Sequence, residues 1–280
     1  MFNVKLLQNN WIYFLWFAVY VLITWLCLGA TLVSLGITVV LYAISIGIAL
    51  SPAGEHILRY MLGFREIATK KEREYLLGIF NEVRTEAWKK SYRISMNIQI
   101  YVSDKMNLNA FALGKNTICV TKGAIEGFSE SELKGVLAHE LGHIANGDTI
   151  ALLLNFIGNG IFSIFVMIQK LATNFFDFFR TSFGDGLAYS MLLAIKLASV
   201  MLSGIVWVFT LIGEIILSIN SRKNEYNADK FAYDIGYGDE LLQSLYTLHE
   251  ISSTSNMKLT TRLKKSHPHL AYRIRKLETA

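Results

Sequence analysis

The sequence predicts an α+β fold: a polytopic α-helical membrane protein with four transmembrane helices and a mainly helical cytosolic domain carrying a small antiparallel β-sheet. Three observations predict it. Hydrophobic residues make up 52% of the 280-residue chain and charged residues 18%, with a mean hydropathy of +0.36, above the usual range for a soluble domain of this size. The apolar residues are gathered into four long runs. Between and after the runs lie segments with the periods of amphipathic helix and short strand.

Residues 11–28 and 32–50 are the first two runs, nearly free of charge, and each is about long enough for a bilayer core at roughly 1.5 Å per residue. A linker of residues 29–31 forces them into a tight hairpin. Lys5 ahead of the first run resembles the start of a signal peptide. The second run follows at once, however, and no small-residue cleavage site ends the first, so the pair reads as an anchor. From about residue 65 to 90, Leu76, Ile79, Phe80, Val83 and Ala87 mark an amphipathic helix. Residues 98–103, 110–113 and 117–121 then read as strands, the last two joined by a turn at Gly114-Lys115-Asn116.

Ser129 followed by Glu132 is a capping box, and Leu133, Val136, Leu137, Leu141 and Ile144 recur behind it at helical spacing as far as Asn146-Gly147. The third run, residues 149–168, starts directly after this helix, and the fourth covers 187–219; the neutral segment 170–186 between them reads as a short outer loop. The fourth run exceeds one span, so its surplus is expected to emerge as one continuous helix that stops at Gly236. Lys196 and Glu214 interrupt it, either as functional groups at membrane depth or as side chains snorkelling to opposite interfaces. Core helices of a soluble protein are a poor alternative for four such runs. The expected organisation is a hairpin at 1–50, a first cytosolic part at 51–148, a second membrane pair at 149–219 and a second cytosolic part at 220–280.

Lysines and arginines set the orientation. Lys5, Arg59, Arg65, Lys70, Lys71, Arg73, Lys134, Arg222, Lys223 and Lys230 fall on one side of the spans, and Lys170 and Arg180 on the other, so the former side is expected in the cytosol. The net charge of +5 and pI near 9.0 could suggest nucleic acid, but no arginine stripe with aromatic interleaving exists. The excess belongs to positions that meet anionic lipid, and no nucleic-acid partner is expected. Two cysteines, Cys27 and Cys119, exclude a disulfide framework and thiolate metal ligands.

The capped helix carries His139-Glu140-Leu141-Gly142-His143, an HExxH motif. Residues four apart sit one turn above each other, so both imidazoles can reach one zinc ion while Glu140 takes a proton from a zinc-bound water. A catalytic zinc normally takes three protein ligands. Glu225, on the later helix, can supply the third, and Asp229, one turn on, can accept a hydrogen bond from a liganding histidine; taken alone, both also read as an ordinary solvated helix face.

HELGH followed by Glu225-x-x-Ala228-Asp229, with apolar spans on both sides, resembles the membrane zinc metallopeptidases that include the HtpX proteases and the CAAX prenyl proteases. Asn109-Ala110-Phe111-Ala112 is similar to that family's NAFA segment, and His267-Pro268-His269-Leu270 followed by Arg273 to its C-terminal HP motif. The prenyl proteases carry longer chains with more spans, so HtpX is the closer likeness. The resemblance implies a zincin-like catalytic domain with one Zn2+ per chain, ligated by His139, His143 and Glu225. It implies Glu140 as base, His267 and Arg273 as partners of the transition-state oxyanion, and Asn109 to Ala112 as an edge strand that a peptide extends. Without it, His267 reads as a surface residue and the strand as an interior one. His269 matches no ligand of the family, and His56 and His249 read as surface or packing residues.

The function this implies is proteolysis in quality control of misfolded or damaged membrane proteins under stress. The site would face the cytosol at the inner membrane of a prokaryote, with membrane proteins or peptides as substrates. Processing of a defined lipidated or peptide substrate, and a metal-stabilised scaffold without turnover, are the alternatives, and an intact Glu140 argues against the second.

Overall fold

The computed structural model describes residues 4–183, 187–254 and 270–279. Helix α1 (Val4–Cys27) and helix α2 (Leu32–Ala49) form the N-terminal hairpin, and α2 opens on a capping box between Thr31 and Ser34. Among the described residues, Gln8–Cys27 and Leu32–Ala49 are long and apolar enough to cross a membrane, and a shorter apolar stretch covers Asp148–Ile161. Helix α3 (Pro52–Leu62) starts on the Ser51 cap with proline in its first turn and ends on Gly63 at φ 72°, a left-handed position that glycine takes without steric cost. Helix α4 (Lys70–Lys89) follows, and its apolar stripe, Leu76 to Ala87, is buried.

Strands β1 (Gln99–Ser103), β2 (Ala110–Leu113) and β3 (Thr117–Thr121) form one sheet in the order β1-β3-β2. The sequence reading of an antiparallel sheet is corrected here: β2 pairs antiparallel to β3, but β1 pairs parallel to it, Ile100 opposite Ile118. The physical reason is the connection. Residues 104–109 carry the chain past the place that β3 later fills, so β3 returns from its hairpin between the other two and runs the same way as β1. This leaves β2 at a sheet edge.

Short helix α5 (Lys122–Gly127) leads into α6 (Glu130–Asn146), whose Ser129/Glu132 capping box and Gly147 stop at φ 78° are both formed. Helix α7 (Asp148–Phe183) begins one residue later and stays helical well into the stretch read as an outer loop. No proline or glycine lies between residues 170 and 183 to break it. Helix α8 (Leu187–Asp234) is continuous from the fourth apolar run to the Glu225 segment, and α9 (Gly238–Thr254) and α10 (Leu270–Glu278) close the chain.

The main core joins α4, the sheet, α6, the end of α8 and α9 around Phe80, Val102, Ile118, Leu137, Phe231 and Leu241. A second cluster, Trp16, Tyr20 and Tyr42, packs within the helices of the apolar runs, with Trp16 stacked on Phe209 at 4.6 Å. Helix α6 lies between the two regions and is buried along most of its length.

Close approach of α6 to α9 depends on Gly135, where an added Cβ would stand 2.3 Å from the Leu241 backbone nitrogen. Gly135→Ala should therefore destabilise the protein by about 1–3 kcal/mol despite alanine's better helix propensity. Thermal unfolding in detergent checks it, and an unchanged midpoint would refute the packing argument.

Candidate metal centre

Helix α6 presents His139 and His143 from successive turns, with their Nε2 atoms 3.2 Å apart and ring planes 87° to each other. Helix α8 crosses this face because the contact residues are small: the Cβ that Gly142 lacks would lie 3.1 Å from Ala228 Cα. That crossing brings Glu225 between the imidazoles, Oε2 3.5 Å from His139 Nε2 and Oε1 3.6 Å from His143 Nε2. One donor atom from each of His139, His143 and Glu225 falls within 4.8 Å of the others.

Each imidazole is oriented from behind. His139 Nδ1 meets Asp229 Oδ1 at 2.9 Å, and His143 Nδ1 meets Asp148 Oδ2 at 2.9 Å. A carboxylate on Nδ1 keeps the proton there and turns the Nε2 lone pair inward. Two lone pairs and a carboxylate oxygen converging on one point repel each other unless a metal ion or a shared proton lies among them. The donor set is also one that zinc takes, and two nitrogen ligands at roughly 2.05 Å in a tetrahedron stand about 3.3 Å apart, close to the spacing seen. The residues fit a metal ion.

Arg273 explains how so much negative charge is buried. Its Nε and one terminal nitrogen donate to the two oxygens of Asp229 at 2.8 and 2.5 Å, and its other terminal nitrogen lies 3.0 Å from Glu225 Oε2. Burial raises the Asp229 pKa, but the Arg273 charge and the His139 hydrogen bond oppose it and hold the carboxyl below its ordinary value. Burial and Arg273 push the His139 ring down, whereas Asp229 and Glu225 push it up more, to about 9. Arg273 is 5% exposed and does not line the adjoining cavity. Its guanidinium faces the ligands.

That cavity, about 280 Å³, is lined by Tyr13, Phe111, Ala112, Glu140, His143 and Leu152 among others. Asn109 and Ala110 line it too, so the whole 109–112 segment borders the site. On its free side, the Ala112 amide donates to Glu140 Oε2 at 2.8 Å, which holds that carboxylate beside the metal position. His267 and His269 lie outside the described residues. Asp148 was not singled out from sequence; an acidic residue opening the helix that follows HExxH was the signal available. Asn10 and Tyr13 gave no such signal, since their approach to the site is set by packing.

Peptidase family M48 matches residues 79–280. The chain is similar to the Protease HtpX homolog of Desulfotalea psychrophila, 32% identical over 65% of this chain and 66% of the relative, and to Protease HtpX of Pseudomonas fluorescens, 38% identical over 44% of this chain and 40% of the relative. The matched region thus spans less than two thirds of these relatives' own lengths. In fold it is similar to the crystal structure of S. mikatae Ste24p, with a TM-score of 0.51, 21% identity and coverage of 98% of this chain and 66% of that one.

Glu225→Ala should abolish metal retention, whereas Asp229→Ala and Asp148→Ala should each weaken zinc affinity by about ten to a hundredfold. Metal analysis and chelator competition on the purified protein check this, and wild-type zinc content in the Glu225 variant would remove it from the ligand set. Binding must also displace the His139 proton, so apparent affinity should fall by about tenfold for each unit that the pH drops below about 9. Affinity that is flat between pH 6 and 8 would contradict the raised value.

Proposed function

The chain belongs to peptidase family M48, and from that membership we propose that it is a membrane-bound zinc endopeptidase. The observation that carries the reading is the convergence of His139, His143 and Glu225 beside a carboxylate, Glu140, that lines the same cavity and is held there by the Ala112 amide. When bound, zinc supplies a Lewis acid that makes water acidic near neutral pH and polarises a carbonyl.

The residues divide the remaining work. Glu140 accepts the proton of the attacking water and returns it to the leaving amine, a transfer within reach of the cavity it lines. Strand β2, with Asn109 to Ala112, receives the substrate as an added strand, so main-chain hydrogen bonds rather than side-chain pockets position the scissile carbonyl. Such binding suits unfolded segments of diverse sequence. Asp229 and Asp148 hold the ligand rings, and Arg273 holds Asp229 and Glu225 in place. We assign His267 to the developing oxyanion on its resemblance to the family's HP motif.

The bilayer enters through α1 and α2, and the four-span arrangement extends it to 149–168 and 187–219. The basic residues flanking these segments favour a cytosolic site at a prokaryotic inner membrane. Misfolded or damaged membrane proteins are the substrates this arrangement suits best, because Tyr13 of the first span and Leu152 of α7 line the cavity.

Glu140→Gln should keep zinc and lose at least about two orders of magnitude in casein hydrolysis. Appreciable turnover in that variant would overturn the role of Glu140, and casein hydrolysis that survives a chelator would overturn the metallopeptidase reading itself. Cysteines placed at Arg73 and Lys258, with Cys27 and Cys119 replaced, should resist a membrane-impermeant thiol reagent in intact cells, while one at Ser182 should react. Labelling at Arg73 or Lys258 without lysis would put the site outside.

A further inference from the structure

Asn10 lies in α1, immediately ahead of the first apolar run, yet it is fully buried and polar, and the backbone there leaves helical geometry at φ −121°, ψ 18°. A carboxamide among apolar helices is costly unless both its ends are satisfied. Here they are. Its Nδ2 donates to Asp148 Oδ1 at 3.2 Å and to the Asn146 carbonyl at 3.5 Å, while its Oδ1 accepts from Asn224 at 2.8 Å and from Asn220 at 3.4 Å.

Those partners adjoin the metal centre on two sides. The other oxygen of Asp148 holds the His143 ring at 2.9 Å, and Asn224 immediately precedes Glu225. One side chain of α1 therefore touches the carboxylate that orients one ligand and the helical turn that carries another. We propose that Asn10 is a positioning residue of the metal centre, acting on His143 through Asp148 and on Glu225 through Asn224. This rests on the metal-centre reading above.

The chemistry requires an amide. Leucine would leave Asp148 Oδ1 and the Asn224 amide without this partner, and aspartate would face the Asp148 carboxylate with a second negative charge. From the kink at Asn10 one side chain reaches the junction of α6 and α7 and the side of α8 together. The first apolar helix is thereby a structural part of the zinc site as well as an anchor.

The test uses the full chain in detergent, in a Glu140→Gln background to prevent self-digestion, with zinc affinity read by chelator competition and the cobalt-loaded protein by its visible spectrum. Asn10→Ala should weaken zinc binding by about tenfold and shift the cobalt bands. If Asn10 works through Asp148, the loss in Asn10→Ala with Asp148→Asn falls well short of the product of the two single losses. Asn10→Ala within twofold of the parent, or a double variant that loses the full product, would overturn the proposal.

Should Asn10→Ala yield no folded protein, the isosteric Asn10→Asp takes its place. Alone it should lose about tenfold, and combined with Asp148→Asn, which restores a donor facing an acceptor, it should recover most of the loss; no recovery would count against the proposal. Equal zinc binding by the parent and a His139→Ala variant would overturn the metal centre and this inference together, whereas normal loss in His139→Ala with uncoupled Asn10 variants overturns the inference alone.

Discussion

Charge burial behind α6 governs the rest of the molecule. His139, Glu225, Asp229 and Arg273 are each no more than 5% exposed, and Asp148 is 1% exposed. Ions taken out of water in this way are tolerated only when each meets an opposite charge or a hydrogen-bond donor at close range. The partners come from α6, α7, α8 and α10, so those four helices must cross at fixed distances. Gly142 and Ala228 permit one crossing, and the single residue between α6 and α7 sets another. Residues far apart in the chain are held together by what would otherwise be unpaired charge.

The site is layered. Imidazoles and a carboxylate form the inner layer, Asp229 and Asp148 fix their orientation, and Arg273 and Asn10 fix those acids in turn. Two of these supports differ in origin, since Arg273 comes from the C-terminal helix and Asn10 from the first apolar helix. The cavity has a similar double character. Strand β2 supplies an edge on one wall, and Tyr13 and Leu152 supply the wall toward the apolar helices. The cavity is thus bounded both by the sheet and by the apolar helices.

Local signals were legible wherever a short stretch of chain decides its own structure. The caps at Ser129 and Gly147, the stripe from Leu76 to Ala87 and the three strands follow from neighbours a few residues apart. The parallel pairing of β1 with β3 was not legible, because hairpin chemistry fixes how β2 meets β3 but says nothing of where β1 attaches. The helical state of 170–183 was not legible either, since a neutral segment between two apolar runs fits a loop and a helix equally when no proline or glycine decides. The contacts of Arg273 were not legible: the resemblance implies a role at the oxyanion, and only the fold brings its guanidinium to Asp229 and Glu225.

By itself the sequence determined that one helix would offer two imidazoles and a carboxylate to a metal, because a spacing of four residues on an α-helix is a geometric fact independent of the remaining chain. It also determined that long apolar runs would bracket that helix. Tertiary structure alone decided how Glu225 comes to lie between the two imidazoles, that Asp148 rather than solvent meets His143, and that Asn10, more than 130 residues away, lies against that aspartate. Such contacts are set by how closely helix backbones can approach and by the demand that every buried charge find a partner, and neither quantity is carried by residues that are neighbours in sequence.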